Sequence, residues 1–184
     1  MIVVFIGKLQ SGKTTAANHL IVTYGFTRVS FGDKLKEFAS EIFGIPLEDF
    51  YNPEAKIAPL GFVPDPSGPY RKPITPRLVL QHFGTEGCRY LDTDVWVKWV
   101  ENEHFKTTKS RGKKYVIDDC RFPNEQEMLR KYDARFIKIV RPGYEGDSHA
   151  SETEQESLEW DDLIDNSGSV EDLWKAVDTI MRRT

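Results

Sequence analysis

Ile2-Val3-Val4-Phe5-Ile6-Gly7-Lys8-Leu9-Gln10-Ser11-Gly12-Lys13-Thr14 joins an unbroken apolar run to a loop bounded by glycines and closed by Lys-Thr. Five consecutive apolar residues suit a central parallel strand covered on both faces. The eight residues from Gly7 to Thr14 match G-x-x-x-x-G-K-[ST]. A helix is predicted to start near Gly12 or Lys13, which completes the strand, loop and helix setting that a phosphate-binding P-loop requires. Gly7 and Gly12 allow the backbone to curl until its N–H groups face phosphate oxygens, with the helix N-terminus behind them. Lys13 supplies positive charge to the β- and γ-phosphates, and the Thr14 hydroxyl reaches Mg²⁺. Lys8, Gln10, Ser11 and Thr15 complete the candidate cofactor-binding set around this loop.

Outward from the loop, Thr27–Phe31 reads as a second strand and Asp33 to Phe43 as a helix that Gly44 and Pro46 end. From Pro46 to Pro76, eight of the ten prolines occur together and neither a helical nor a strand period survives. No regular structure is expected there, and the stretch reads as a functional or a disordered loop. Helical patterning returns from Pro76 to Phe83 and from Asp94 through Val100. Tyr115–Ile117 reads as a buried strand ending in Asp118-Asp119, Pro123–Tyr132 as a helix, Arg135–Val140 and Asp162–Asn166 as strands. A last helix opens with Ser169 as its N-cap. Strands alternating with helices predict an α/β fold whose parallel sheet carries helices on both faces.

The 184 residues suit a single domain that buries roughly 70% of its unfolded surface. Cys88 and Cys120 are too few and too far apart for a disulfide framework or a zinc site, so they read as reduced thiols of a cytoplasmic protein. The N-terminal apolar run lacks a basic flank and is too short to span a membrane. A net charge of −4 offers no global attraction for nucleic acid. A small anionic substrate is the expected partner.

A P-loop alone does not separate a kinase from an ATPase or a GTPase. Asp118 and Asp119, at a predicted strand end, place a carboxylate where Mg²⁺ or an acceptor would be met. Both stay candidates for the metal alongside Thr14. No N-K-x-D base-reading motif follows the later strands, which favours small-molecule transfer.

Several further segments carry a family resemblance. Ser30-Phe31-Gly32-Asp33-Lys34-Leu35-Lys36 resembles S-F-[AG]-D-x-[LI]-K. Leu80-Gln81-His82-Phe83-Gly84-Thr85-Glu86-Gly87-Cys88-Arg89 resembles L-Q-x-x-G-T-E-x-x-R, with Trp96 a few residues on. Asp119-Cys120-Arg121-Phe122-Pro123-Asn124-Glu125 resembles D-x-R-F-x-N-E. His149-Ala150-Ser151-Glu152 resembles H-x-S-E, and Asp165 to Ser169 resembles an N-x-G-[ST] turn. In this order and spacing, the set resembles the phage-type deoxynucleoside monophosphate kinases of the P-loop nucleoside monophosphate kinase superfamily.

The resemblance implies a three-layer P-loop kinase fold with a five-stranded parallel sheet. It implies a core at about 1–45 and 113–184, an acceptor-binding insertion at about 46–112 and a short lid at about 142–156. It implies ATP and Mg²⁺ as cofactors and a deoxynucleoside monophosphate as the small-molecule partner, with no nucleic acid and no membrane, and it is compatible with a homodimer. Lys13, Asp33, Arg121 and Arg141 are then the catalytic candidates. Asp33, Lys36, Arg77, Gln81, Thr85, Arg89, Trp96, Asp119 and Arg121 are the substrate candidates, the arginines because a guanidinium fork fits two phosphate oxygens. Asn166 and Gly168 would border the adenine. Phe83, Tyr90 and Trp96 could stack on a base or belong to the core. Tyr51, Lys56, Tyr70, Arg71 and Lys72 could enter the acceptor site or an oligomer contact. Rival readings are a kinase of another small acceptor, such as a dephospho-coenzyme A-like or phosphomevalonate-like compound, and a partner-driven ATPase. A polynucleotide end kinase is a weaker rival.

Overall fold

The computed structural model describes residues 1–64, 71–107, 112–143 and 154–183. Its main sheet has the order β2-β5-β1-β6-β7. The strands are β1 (Ile2–Ile6), β2 (Thr27–Arg28), β5 (Tyr115–Ile117), β6 (Arg135–Val140) and β7 (Asp162–Asp165). Every pairing in this sheet is parallel. The helices are α1 (Lys13–Tyr24), α2 (Asp33–Phe43), α3 (Pro76–Gln81), α4 (Val95–Val100), α5 (Pro123–Arg130) and α6 (Val170–Met181).

All five residues of β1 are buried, as its unbroken apolar sequence requires. Alternation divides them between two cores. Ile2, Val4 and Ile6 join Val97, Val100, Met128 and Leu129 on one face. Val3 and Phe5 join Ala16, Ala17 and Leu20 of α1 and Leu173, Val177 and Ile180 of α6 on the other. The central strand is therefore clamped between two helical layers, and the loop at its carboxyl end starts from a rigid base.

Helix ends follow local chemistry. Gly25, at φ 68°, ends α1 with its N–H on the Ile21 carbonyl, and the Phe26 N–H bonds the Leu20 carbonyl at 3.3 Å, the pairing of a left-handed C-terminal cap. Ser169 and Asp172 cap α6 reciprocally, as its sequence predicts: the Asp172 N–H donates to Ser169 Oγ, which donates to Asp172 Oδ2 at 2.8 Å. Only Thr27 and Arg28 of the predicted 27–31 strand enter the sheet, although the Val29 N–H still reaches the Val116 carbonyl at 3.0 Å.

The chain forms two compact units, Met1–Phe31 with Val97–Thr184, and Gly32–Trp96. The division falls at Gly32 and Trp96 rather than near 46 and 112, so α2 clusters with the second unit. That unit also corrects one expectation. The proline-rich stretch contains 3₁₀ turns at Leu47–Phe50 and Ala55–Ile57 and an antiparallel pair, β3 (Gly61–Pro64) with β4 (Arg71–Ile74). Proline fits because each strand of a two-stranded pair has one edge with no ladder to supply; Pro73 stands opposite Phe62 and Pro64 opposite Arg71. After α3, whose N-cap Thr75 accepts from the Leu78 N–H, the helix widens into a π-helical segment over His82–Arg89.

Candidate functional site

In the first unit the loop from Gly7 to Thr14 leaves β1 in a conformation that few other residues could adopt. Gly7 lies at φ 144° and Gly12 at φ 107°. A Cβ on Gly7 would stand 2.2 Å from the Ile139 carbonyl oxygen, and one on Gly12 would stand 2.5 Å from Asn166 Nδ2. Gln10 also takes a positive φ, 62°, a left-handed conformation that costs a non-glycine residue about 1 kcal/mol. Such strain concentrates at binding sites. The Lys13 ammonium donates to the carbonyls of Gly7 and Lys8, the latter at 2.7 Å. The Ser11 hydroxyl is buried and has no hydrogen-bond partner among the described residues.

β5 delivers the carboxylates. Thr14 Oγ1 donates to Asp118 Oδ2 at 2.7 Å, and the Arg28 guanidinium lies 2.9 Å from Asp118 Oδ1. Asp119 faces elsewhere, accepting from Ser30 Oγ at 2.6 Å and from the Phe31 N–H at 3.2 Å. The two acids that sequence leaves equivalent are thus differently placed: Asp118 meets the P-loop threonine, and Asp119 braces the segment after β2. The sequence does not point to Arg28, because a lone arginine in a two-residue strand carries no signal.

A hydroxyl and a carboxylate in contact are hard oxygen donors that suit Mg²⁺, an ion that keeps most of its shell for water and phosphate oxygens. Among the described residues no group of three or more His, Cys, Asp or Glu side chains could hold a metal by itself. That donor pair, together with a loop shaped for phosphates, fits Mg²⁺ carried by a nucleoside triphosphate.

Arg121, between β5 and α5, is partly buried, and its N–H donates to Glu125 Oε2 at 2.7 Å. Glu125 Oε2 also accepts the Phe122 N–H at 3.1 Å. With Glu125 only 2% exposed, this carboxylate fixes the backbone that presents Arg121. Arg141 is exposed just past β6. His149, Ser151, Glu152 and most of the expected lid lie outside the described residues. Asn166, expected at the adenine, is buried, and its amide donates to the Ser11 carbonyl at 2.8 Å. Gly168 precedes the α6 cap, where a Cβ would meet Asp172 Oδ2 at 3.1 Å.

In the second unit Asp33 opens α2. Its Oδ1 accepts from the Lys36 ammonium and from the Tyr51 hydroxyl, each at 2.9 Å, and Lys36 lies over the Tyr51 ring, 4.2 Å from its centroid. The irregular 46–76 stretch thereby contributes a side chain to an expected acceptor residue. Arg77, Gln81, Thr85 and Arg89 are partly buried along α3 and the π-helical segment; Arg89 Nη1 donates to the Thr93 carbonyl at 2.9 Å. Two of the three aromatics have contacts within the protein. Trp96 is 5% exposed and its indole N–H donates to the Gly84 carbonyl at 3.3 Å, so it braces the π-helical segment from inside. Phe83 packs edge-on against Phe43 at 5.7 Å. Tyr90 is exposed. Tyr70 lies outside the described residues, as does the side chain of Arg71.

A central parallel strand feeding a phosphate loop, with a metal-competent Thr–Asp pair at the neighbouring strand end, defines a P-loop nucleotide-binding fold, and the likeness to known proteins narrows the class to kinases. A shikimate kinase from Aquifex aeolicus shares the fold, with a TM-score of 0.53 at 13% identity over 99% of this chain and 96% of that one. The family model for deoxynucleotide monophosphate kinase matches residues 70–177. A protein of Acanthamoeba polyphaga mimivirus, provisionally named a deoxynucleotide monophosphate kinase, is 33% identical over 183 residues, covering 94% of this chain and 91% of that protein. The deoxynucleotide monophosphate kinase of Escherichia phage RB69 is 33% identical over 108 residues, 58% of this chain and 44% of that one. The chain belongs to the deoxynucleotide monophosphate kinase family.

Proposed function

We propose that the protein transfers the γ-phosphoryl group of ATP to a deoxynucleoside monophosphate, giving ADP and a deoxynucleoside diphosphate. The contact between Thr14 and Asp118, 2.7 Å at the end of the phosphate loop, carries the donor half of this reading. Membership of the family supports the acceptor half.

The loop N–H groups and Lys13 hold the β- and γ-phosphates, and the same donors oppose the charge that spreads over the transferring group. Thr14 and Asp118 would hold Mg²⁺, which would supply positive charge to offset that of the phosphates. Arg121 and Arg141 add cations for the acceptor and the transferring group. A phosphomonoester already carries about −1.5 to −2 charge at pH 7, so its attacking oxygen needs orientation more than deprotonation. Asp33, fixed by Lys36 and Tyr51, is assigned to that orienting role, with Arg77 and Arg89 gripping the acceptor phosphate. Gln81 and Thr85 are left to read the base edge.

The test is an ATP-consumption assay with Mg²⁺ against deoxy- and ribonucleoside monophosphates, with a no-acceptor control and the products separated by chromatography. ADP and a deoxynucleoside diphosphate should form together and only with acceptor. Acceptor-independent loss of ATP would replace the reading with an ATPase, and inactivity on every nucleotide would replace it with a kinase of another small acceptor.

A further inference from the structure

We propose that Asn166 is a positioning residue for the phosphate loop, holding it in register for the nucleotide's phosphates without reading its base. The inference rests on the donor half of the function proposed above.

Asn166 follows β7 and is fixed from several directions. Its backbone N–H donates to the Val140 carbonyl of β6 at 2.8 Å. The preceding Asp165 accepts the Ser167 N–H at 2.9 Å, and the Ser169 cap starts α6 three residues on. From this platform, at 7% exposure, the side-chain amide donates to the Ser11 carbonyl at 2.8 Å. An acceptor-only partner requires the NH₂ end of the amide to face it. In a planar trans peptide the C=O and the following N–H point in opposite directions. A grip on the Ser11 oxygen therefore turns the Gly12 N–H away from Asn166. The fit is tight enough that a Cβ on Gly12 would fall 2.5 Å from Asn166 Nδ2 and 3.2 Å from Leu173 Cδ2. Gly12 thus serves the approach of Asn166 as well as the turn.

Inorganic tripolyphosphate separates a loop tether from a base contact, because it offers the phosphates without base or sugar. Calorimetry would measure ATP, GTP and tripolyphosphate binding to wild type, Asn166→Asp and Asn166→Ala, with no acceptor present. Asn166→Asp keeps the volume but replaces the donor by an acceptor; Asn166→Ala removes the donor without adding charge, and thermal melting reports whether each variant folds. Both variants should weaken all three ligands by a common factor of about ten, the scale of one buried hydrogen bond, with the ATP to GTP ratio unchanged. Weaker ATP with unchanged tripolyphosphate would make Asn166 a base contact, and unchanged binding of all three would make the tether immaterial; either overturns the proposal. Wild type that binds none of them would instead overturn the donor reading on which the proposal rests.

Discussion

In the unit formed by Met1–Phe31 and Val97–Thr184, every residue of β1 is buried between two apolar clusters. In Gly32–Trp96 the cluster of buried residues is Ala39, Ile45 and Phe50, while Phe38, Ile42, Phe43, Ile57, Leu60 and Phe62 stay exposed. The first unit builds its site mainly from backbone: a contiguous loop on a rigid strand, with strain at Gln10 and close approaches at Gly7 and Gly12. The second builds its candidate site from side chains on short helices, a π-helical segment and a 3₁₀-rich stretch. On the proposed function, donor chemistry of the first kind should be unforgiving at single positions, and acceptor chemistry of the second kind is spread over several residues, so each substitution should cost less.

That contrast can be broken by substitution. Lys13→Ala should have the largest effect, lowering kcat/KM by about 10³ or more through loss of charge at the transferring phosphoryl group; circular dichroism should remain native, and near-normal turnover would sink the assignment. Asp118→Asn should lower kcat by about 10² and raise the Mg²⁺ concentration needed for half-maximal rate, read by magnesium titration. Arg89→Lys, in the second unit, should raise the acceptor KM by about tenfold and leave the ATP KM in place, since lysine keeps the charge but loses the fork. An equal rise in both constants would remove the division between donor and acceptor roles.

Trp96→Phe should cost about 1 kcal/mol in denaturant unfolding through loss of the bond to the Gly84 carbonyl. The smallest effect is expected far from the loop. Burial pushes the Asp178 carboxyl up, but hydrogen bonds from His19 and Tyr24 and the charges of His19 and Arg182 outweigh it and hold it below its ordinary 3.8. A depressed folded-state value means that the pairing of α1 with α6 contributes stability above pH 3.8, lost as pH falls through the lower folded value. Asp178→Asn should therefore flatten the acid limb of the stability curve, measured by melting temperature against pH.

The division between the units also explains what could be read from sequence. Five apolar residues before a glycine announce a buried parallel strand, and the loop motif specifies a backbone shape, so β1, α1 and the donor loop were legible without any partner in view. The antiparallel pair over 61–74 was not, because prolines at 64 and 73 erase the strand signal while a two-stranded pair tolerates them. Asp118 and Asp119 looked alike in sequence, and only the turn of the chain after β5 sends one to Thr14 and the other to Ser30. Nor do the backbone partners of Asn166 and Trp96 show in the sequence. Each spends its donor on a backbone carbonyl, at Ser11 and Gly84 respectively, and a carbonyl partner leaves no mark on residue identity.

The most direct test follows the phosphoryl group itself. ATP labelled at the γ-phosphorus, incubated with Mg²⁺ and an excess of one deoxynucleoside monophosphate, should deliver the label into the β-phosphate of the deoxynucleoside diphosphate, one for each ADP formed. Label recovered as inorganic phosphate at the same rate with and without acceptor would contradict the account.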